Sequence, residues 1–191
     1  MINLGFMASN NGSSARAIMA AIAEGSLDAR ARLVVSNRKT APILDFAREH
    51  GVPAQYLPTV SDADAADARL LAAMRDAGVD WIILSGYLRK LGPRTLGGYD
   101  GRILNIHPAL LPKYGGQGMY GRRVHEAVIA ARETVTGASV HFVDNEYDHG
   151  AVVAQVEVPV RAGDTPLDIE QRVIAAEPAL FVKTLRKIAD G

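Results

Sequence analysis

The sequence predicts an α/β fold: a mostly parallel sheet with helices on both faces, extended in its second half by antiparallel strands. Three observations carry this expectation. Up to residue 106, short apolar runs alternate with amphipathic stretches of about ten residues or more, the rhythm of βα units in a parallel sheet. After residue 136, the stretches GASVHFV and VVAQVEV alternate apolar and polar residues and are joined by a polar loop, which reads as an antiparallel pair. The chain has 191 residues, 48% hydrophobic and 22% charged, enough for one compact domain with a sizeable core. No repeat, low-complexity stretch or linker divides it, so one domain is expected over residues 1–191.

The elements follow in order. Ile2 to Met7 reads as a buried strand, and ASNNG after it as a turn. SSARAIMAAIA, from Ser13 to Ala23, places Ile18, Ala21 and Ile22 at helical spacing. Ala31 to Ser36 is a second strand, and Ala41 to His50 a helix closed by Gly51. Ala54 to Leu57 is a short third strand. A helix is expected from Ser61 to Gly78, then a buried strand over DWIILS (Asp80 to Ser85) and another from Arg102 to Ile106. Val124 to Ala131 reads as helix, and Gly137 to Val143 and Val152 to Val158 as the antiparallel strands. Pro166 to Ala189 is a closing helical region, expected to be interrupted or kinked near Pro178.

Composition removes several function classes. Lys plus Arg (21) equals Asp plus Glu (21), so there is no electrostatic footprint for nucleic acid or an anionic membrane. There is no Cys, which excludes disulfides, thiol nucleophiles and thiolate zinc sites. No apolar run approaches the roughly 20 residues of a membrane span. The N-terminus enters a strand pattern at once without a basic leader, so a cytoplasmic location is expected.

Four stretches could carry chemistry. MASNNGSSARAI puts Gly12, Ser13 and Ser14 at a helix N-terminus, where free N–H groups and the positive end of the helix suit a phosphate, or where a Ser simply caps the helix. SGYLRKLGP leaves the carboxyl end of a strand, the usual ligand side of a parallel sheet, or is an ordinary loop. In ILNIHPALLP, Asn105 and His107 are two apart on a strand and so share a face. An amide donor beside an imidazole can hold an oxyanion and exchange a proton at neutral pH, although a single strand His is commonly structural. GASVHFVDNEYDHG offers His141, Asp144, Glu146, Asp148 and His149 around a turn. Most of these read as a solvated acidic turn, and their spacing matches no standard zinc motif, so no metal is expected.

The strings Asn105-Ile106-His107-Pro108, Leu110-Leu111-Pro112-Lys113-Tyr114, Gly137-Ala138-Ser139-Val140-His141-Phe142-Val143 and Tyr147-Asp148-His149-Gly150 resemble the folate-dependent formyltransferases. The resemblance runs over nearly the whole chain, including Asn11 to Ser13 and Gly163 to Thr165. It implies a Rossmann-like formyltransferase fold and 10-formyltetrahydrofolate as co-substrate. The similarity is greatest to the branch whose acceptor is the amine of glycinamide ribonucleotide (GAR). It implies Asn105, His107 and Asp148 as the catalytic trio. It places the folate along Leu88, Arg89, Lys90 and Leu91, beside Asn105, and along Asp144, Asn145, Glu146, Tyr147 and Asp148. It places GAR at Gly12, Ser13, Ser14 and Glu177. The sequence departs from the family pattern at Asn10 and Ser14 in the phosphate loop, at Asp62, Ala63 and Asp64 where an Arg is frequent, at Pro178 where a His is common, and in Gly115 to Arg123.

The implied chemistry suits the residue types. An amine attacks the formyl carbon, Asn105 and cationic His107 hold the oxyanion, and Asp148 supports the imidazolium by Coulomb attraction, which raises its pKa. The alternatives keep the chemistry and change the acceptor to a sugar-nucleotide amine, the aminoacyl group of a charged tRNA, or water, or reduce the protein to a non-catalytic folate- or nucleotide-binding module. The tRNA enzyme ordinarily has a further domain and a basic surface, and the water-using deformylase an N-terminal regulatory domain; neither is expected here. The intact trio speaks against a binding module.

Overall fold

The computed structural model describes residues 1–59 and 62–191. Its elements are β1 (Ile2–Met7), α1 (Ser13–Ala23), β2 (Ala29–Ser36), α2 (Pro42–Glu49), β3 (Ala54–Tyr56), α3 (Ala63–Asp76), β4 (Trp81–Leu84), α4 (Pro93–Gly98), β5 (Ile103–His107), α5 (Arg122–Ala130), β6 (Val135–Phe142), β7 (Val152–Pro159) and α6 (Pro166–Ala189). Seven strands form one sheet in the order β3-β2-β1-β4-β5-β6-β7. Pairings from β3 through β5 are parallel; β5–β6 and β6–β7 are antiparallel. The fold class read from the sequence is the observed one.

Two apolar cores lie on opposite faces of the sheet, and the two-residue period of the strands divides side chains between them. Leu4, Phe6, Ile83, Leu104, Ile106, Ala138 and Val140 join Ile18 of α1, Ile43 of α2, Val128 of α5 and Phe181 of α6. Met7, Ile82, Leu84 and Ile103 join Leu70 and Met74 of α3 and Leu91 and Tyr99 near α4. Asn105 and His107 have the parity of Ile103, so they turn to the α3–α4 face. Ser139 and His141 are out of step with Ala138 and Val140 and turn the same way. The antiparallel register then sets Asn105 opposite His141 and His107 opposite Ser139. A polar patch results on one face, at the carboxyl end of β5.

The structure adds to or departs from the expectation at four elements. The short helix α4 lies where no element was read. Its sequence, PRTLGG, ends in two poor helix formers. Its N-terminus is held from outside: the buried Asp67 carboxylate of α3 accepts from the N–H groups of Arg94 at 2.7 Å and Thr95 at 3.1 Å. In α3, Asp62 is the cap, its side chain accepting from the Ala65 N–H at 3.0 Å; the expected start at Ser61 lies outside the described residues. The closing helix α6 is continuous through Pro178, rather than interrupted. Proline removes one bond to the carbonyl of Ile174, and because Ile174 is 44% exposed, water can satisfy that carbonyl. Finally, the cap of α1 is Gly12 rather than a Ser. Gly12 has φ +61, and a Cβ there would press on Ala8 and Ile43.

Candidate active site

The site forms where β5 ends and the β6–β7 loop folds over it. His107 and His141 are buried and Asn105 is half-buried. Asp148 reaches both imidazoles, with Oδ2 at 3.3 Å from His107 Nδ1 and Oδ1 at 3.5 Å from His141 Nε2. The Gly116 N–H donates to Asp148 Oδ2 at 3.0 Å. Asp148 has φ +55, a left-handed conformation that costs a non-glycine residue about 1 kcal/mol. Glycine at 150 lets the loop close, because a Cβ there would collide with the Phe142 carbonyl.

Hydrogen bonds orient the rings. His141 Nδ1 donates to the Phe142 carbonyl at 2.8 Å, which leaves Nε2 to accept from Asn105 Nδ2 at 3.1 Å. The second N–H of the Asn105 amide is left for a ligand. His107 Nε2 donates to the Tyr114 carbonyl at 2.7 Å. His107 thus faces an acceptor at each ring nitrogen, Tyr114 O and Asp148 Oδ2, and only the imidazolium satisfies both.

Electrostatics temper that geometry. Burial lowers the His107 pKa by more than Asp148 and the Tyr114 carbonyl raise it, and His141 adds to the lowering. The expected upward pull of Asp148 is present but does not set the net sign. Asp148 pulls upward, but the net direction is downward, because desolvation disfavours the cation more. Burial also pushes the Asp148 carboxyl up. His141, the charge of His107 and the Gly116 N–H outweigh it and hold the carboxyl below the usual range.

The remaining predicted residues fall in three groups. The loop after β4 and the β6–β7 loop meet beside the trio, with Lys90 Nζ 5.7 Å above the Tyr147 ring. Leu88 and Tyr147 are about half exposed and Arg89, Lys90, Asn145 and Glu146 are exposed. Leu91, however, is buried in the α3–α4 core, so its side chain is spent on packing. Where the family frequently has an Arg, Asp64 instead receives a two-pronged contact from Arg94 of α4, at 2.8 and 2.9 Å. At the α1 N-terminus, Ser85 Oγ from the β4 exit accepts from the Ala15 N–H at 3.2 Å, and buried Ser14 Oγ has no partner among the described residues. Glu177 lies in α6, which packs against α1; burial raises its carboxyl to about 7. Among the described residues, no hydrogen bond joins Glu177 to that first turn or to the trio.

Sequence reasoning missed His141 as a member of the site. Its alternation with Val140 and Phe142 revealed its face, but not that Asn105 stands opposite. It also missed Ser85 and the Tyr114 carbonyl. The latter belongs to a residue at φ +56 in the loop after β5, which no residue type marks.

This fold occurs in known proteins. The model of the formyl transferase family matches residues 2–185. The chain belongs to that family. This formyl transferase is 35% identical over 192 residues to phosphoribosylglycinamide formyltransferase of Escherichia coli K12, covering 100% of the chain and 88% of that protein. It is 36% identical over 190 residues to the chloroplastic phosphoribosylglycinamide formyltransferase of Arabidopsis thaliana, covering 98% of the chain. It spans 65% of the Arabidopsis protein's length and 61% of that of a second plant relative, from Vigna unguiculata. The crystal structure of glycinamide ribonucleotide transformylase 1 from Symbiobacterium toebii superposes with a TM-score of 0.93 at 34% identity, covering 100% of this chain and 89% of that one. Among the described residues of this formyl transferase, no helix is long and apolar enough to cross a membrane, and no group of three or more His, Asp or Glu could hold a metal ion.

Proposed function

We propose that this formyl transferase moves the formyl group of 10-formyltetrahydrofolate onto the amine of GAR in purine biosynthesis, and that it does so in the cytoplasm. One observation carries the reading: Asn105, His107 and Asp148 converge at one strand end in a member of this family. The names of the bacterial and plant relatives support GAR as acceptor.

The amine nitrogen attacks the formyl carbon, and the carbonyl electrons move onto oxygen. The free N–H of Asn105 donates to that oxyanion. Burial disfavours the imidazolium of His107 by more than Asp148 favours it. Negative charge growing beside it favours protonation, and Asp148 then stabilises the imidazolium. The bond from the formyl carbon to the folate nitrogen breaks, the proton lost by the amine passes to that nitrogen, and formyl-GAR and tetrahydrofolate leave. The folate lies between the loop after β4 and Asp144 to Asp148. The GAR phosphate sits on the first turn of α1, where Ser13 and Ser14 offer N–H groups that no helical carbonyl takes and Ser14 offers its hydroxyl. Glu177 receives the glycinamide end.

The test is formyl transfer from 10-formyltetrahydrofolate to GAR, followed by absorbance of the released folate. The wild-type chain turns over, and Asn105→Ala and His107→Ala each lose about 10²–10³ in kcat. Ser14→Ala raises the KM for GAR about tenfold, the worth of a hydrogen bond to a charged group, and leaves that for the folate unchanged. No transfer by the wild-type chain, or equal shifts of both KM values in Ser14→Ala, refutes the respective assignment.

A further inference from the structure

One ion pair in the β6–β7 loop has no part in the chemistry above. His149 Nδ1 lies 2.9 Å from Asp144 Oδ2. The other oxygen of Asp144, Oδ1, accepts from the Glu146 N–H at 2.8 Å. Together the two contacts bind the middle of the Asp144 to Asp148 turn and the residue that follows it to the carboxylate at its start. This turn presents Asp148 to His107 and brings Tyr147 under Lys90. Its far end, Asp148, is in a left-handed conformation, so the turn holds a shape that the free chain disfavours.

We infer that His149 is a positioning residue: paired with Asp144, it holds the Asp144 to Asp148 turn in the shape that receives the folate. The inference rests on the folate reading above. Among the described residues the His149 side chain makes no hydrogen bond to the trio, and at 66% exposure it packs no core. The charged groups that face it are Asp144 and Glu146, and Asp144 in turn feels His141. The Asp144 contact, with Glu146 adding, raises the His149 pKa above its ordinary 6.5. The charged form of the clasp is therefore fully present below the ordinary value and is lost as pH rises through the raised one.

The experiment reads the turn and the kinetics separately. Protection factors of the amides of residues 144–148, which correct exchange for its base-catalysed intrinsic rate, and kcat and KM for 10-formyltetrahydrofolate are determined near pH 6 and pH 8.5 in the wild-type chain, His149→Ala and His149→Gln. In the wild-type chain, the protection factor of the Glu146 amide is higher near pH 6 than near pH 8.5, and the folate KM rises about two- to fivefold between them, the scale of an exposed ion pair. His149→Ala shows the low protection factor and high KM at both pH values with kcat within about twofold. His149→Gln keeps an uncharged donor, and both readouts become insensitive to pH. Unchanged exchange in His149→Ala overturns the clasp. Altered exchange with an unaltered folate KM overturns its role in positioning. A wild-type chain that fails to use 10-formyltetrahydrofolate overturns the folate reading and the positioning role with it, while the exchange data still report whether the clasp exists.

Discussion

Asp148 does two things with one carboxylate. Oδ2 takes the Gly116 N–H and faces His107, and Oδ1 faces His141. Asp148→Asn keeps the size and removes the charge that raises the His107 pKa. Burial and His141, which both lower it, are then opposed only by the Tyr114 carbonyl. The cationic form of His107 is lost at lower pH, so the alkaline limb of kcat/KM moves to lower pH and the rate at neutral pH falls by about 10²-fold. A pH–rate profile checks this; an unmoved alkaline limb with near-normal kcat makes Asp148 only a turn residue.

At the scale of elements, the site depends on how the loop after β5 is tied to the antiparallel strands. Ser139 of β6 is fully buried and stands opposite His107. Its hydroxyl donates to the Ala109 carbonyl at 2.6 Å and accepts from the Leu111 N–H at 2.9 Å. Gln155 of β7 donates to that hydroxyl at 2.8 Å and to the Leu111 carbonyl at 2.9 Å. The clamp holds the chain that leaves His107 toward Tyr114, whose carbonyl orients the ring. Ser139→Ala strands a buried N–H and a buried carbonyl and costs about 2–4 kcal/mol in urea unfolding. Because the clamp acts through His107, kcat falls more than either KM rises. A loss of stability without loss of kcat confines Ser139 to folding.

For the whole molecule, the closing helix α6 ties the antiparallel end of the sheet to α1 and α5. Glu177 sits in it with a carboxyl raised from 4.5 to about 7 by burial. A raised carboxyl is protonated in the folded state while the unfolded chain has already ionised. Stability is therefore complete below about pH 4.5 and declines as pH rises to about 7, by up to about 3 kcal/mol. Glu177→Gln keeps the neutral shape, so the variant matches the wild-type chain near pH 5 and is more stable near pH 8. Urea unfolding at the two pH values checks it, and equal differences at both would show that Glu177 ionises without penalty. If the same carboxyl holds the glycinamide end, the stabilised variant also has a higher KM for GAR.

The sequence alone determined the βα alternation, the antiparallel end and the shared face of Asn105 and His107, because strand and helix periods are local properties of the chain. It also determined the family, through Asn-x-His-Pro and the Val-His-Phe-Val and Asp-His-Gly strings that follow. Helix α4 was not legible, since its cap comes from Asp67, 27 residues away. The place of His141 was not legible either, because the β5–β6 register that sets it opposite Asn105 joins strands 36 residues apart. The sign of the His107 shift was decided only by tertiary structure. The sequence shows which charges a residue has for neighbours, but how deeply the folded chain buries it sets the desolvation that, here, outweighs Asp148.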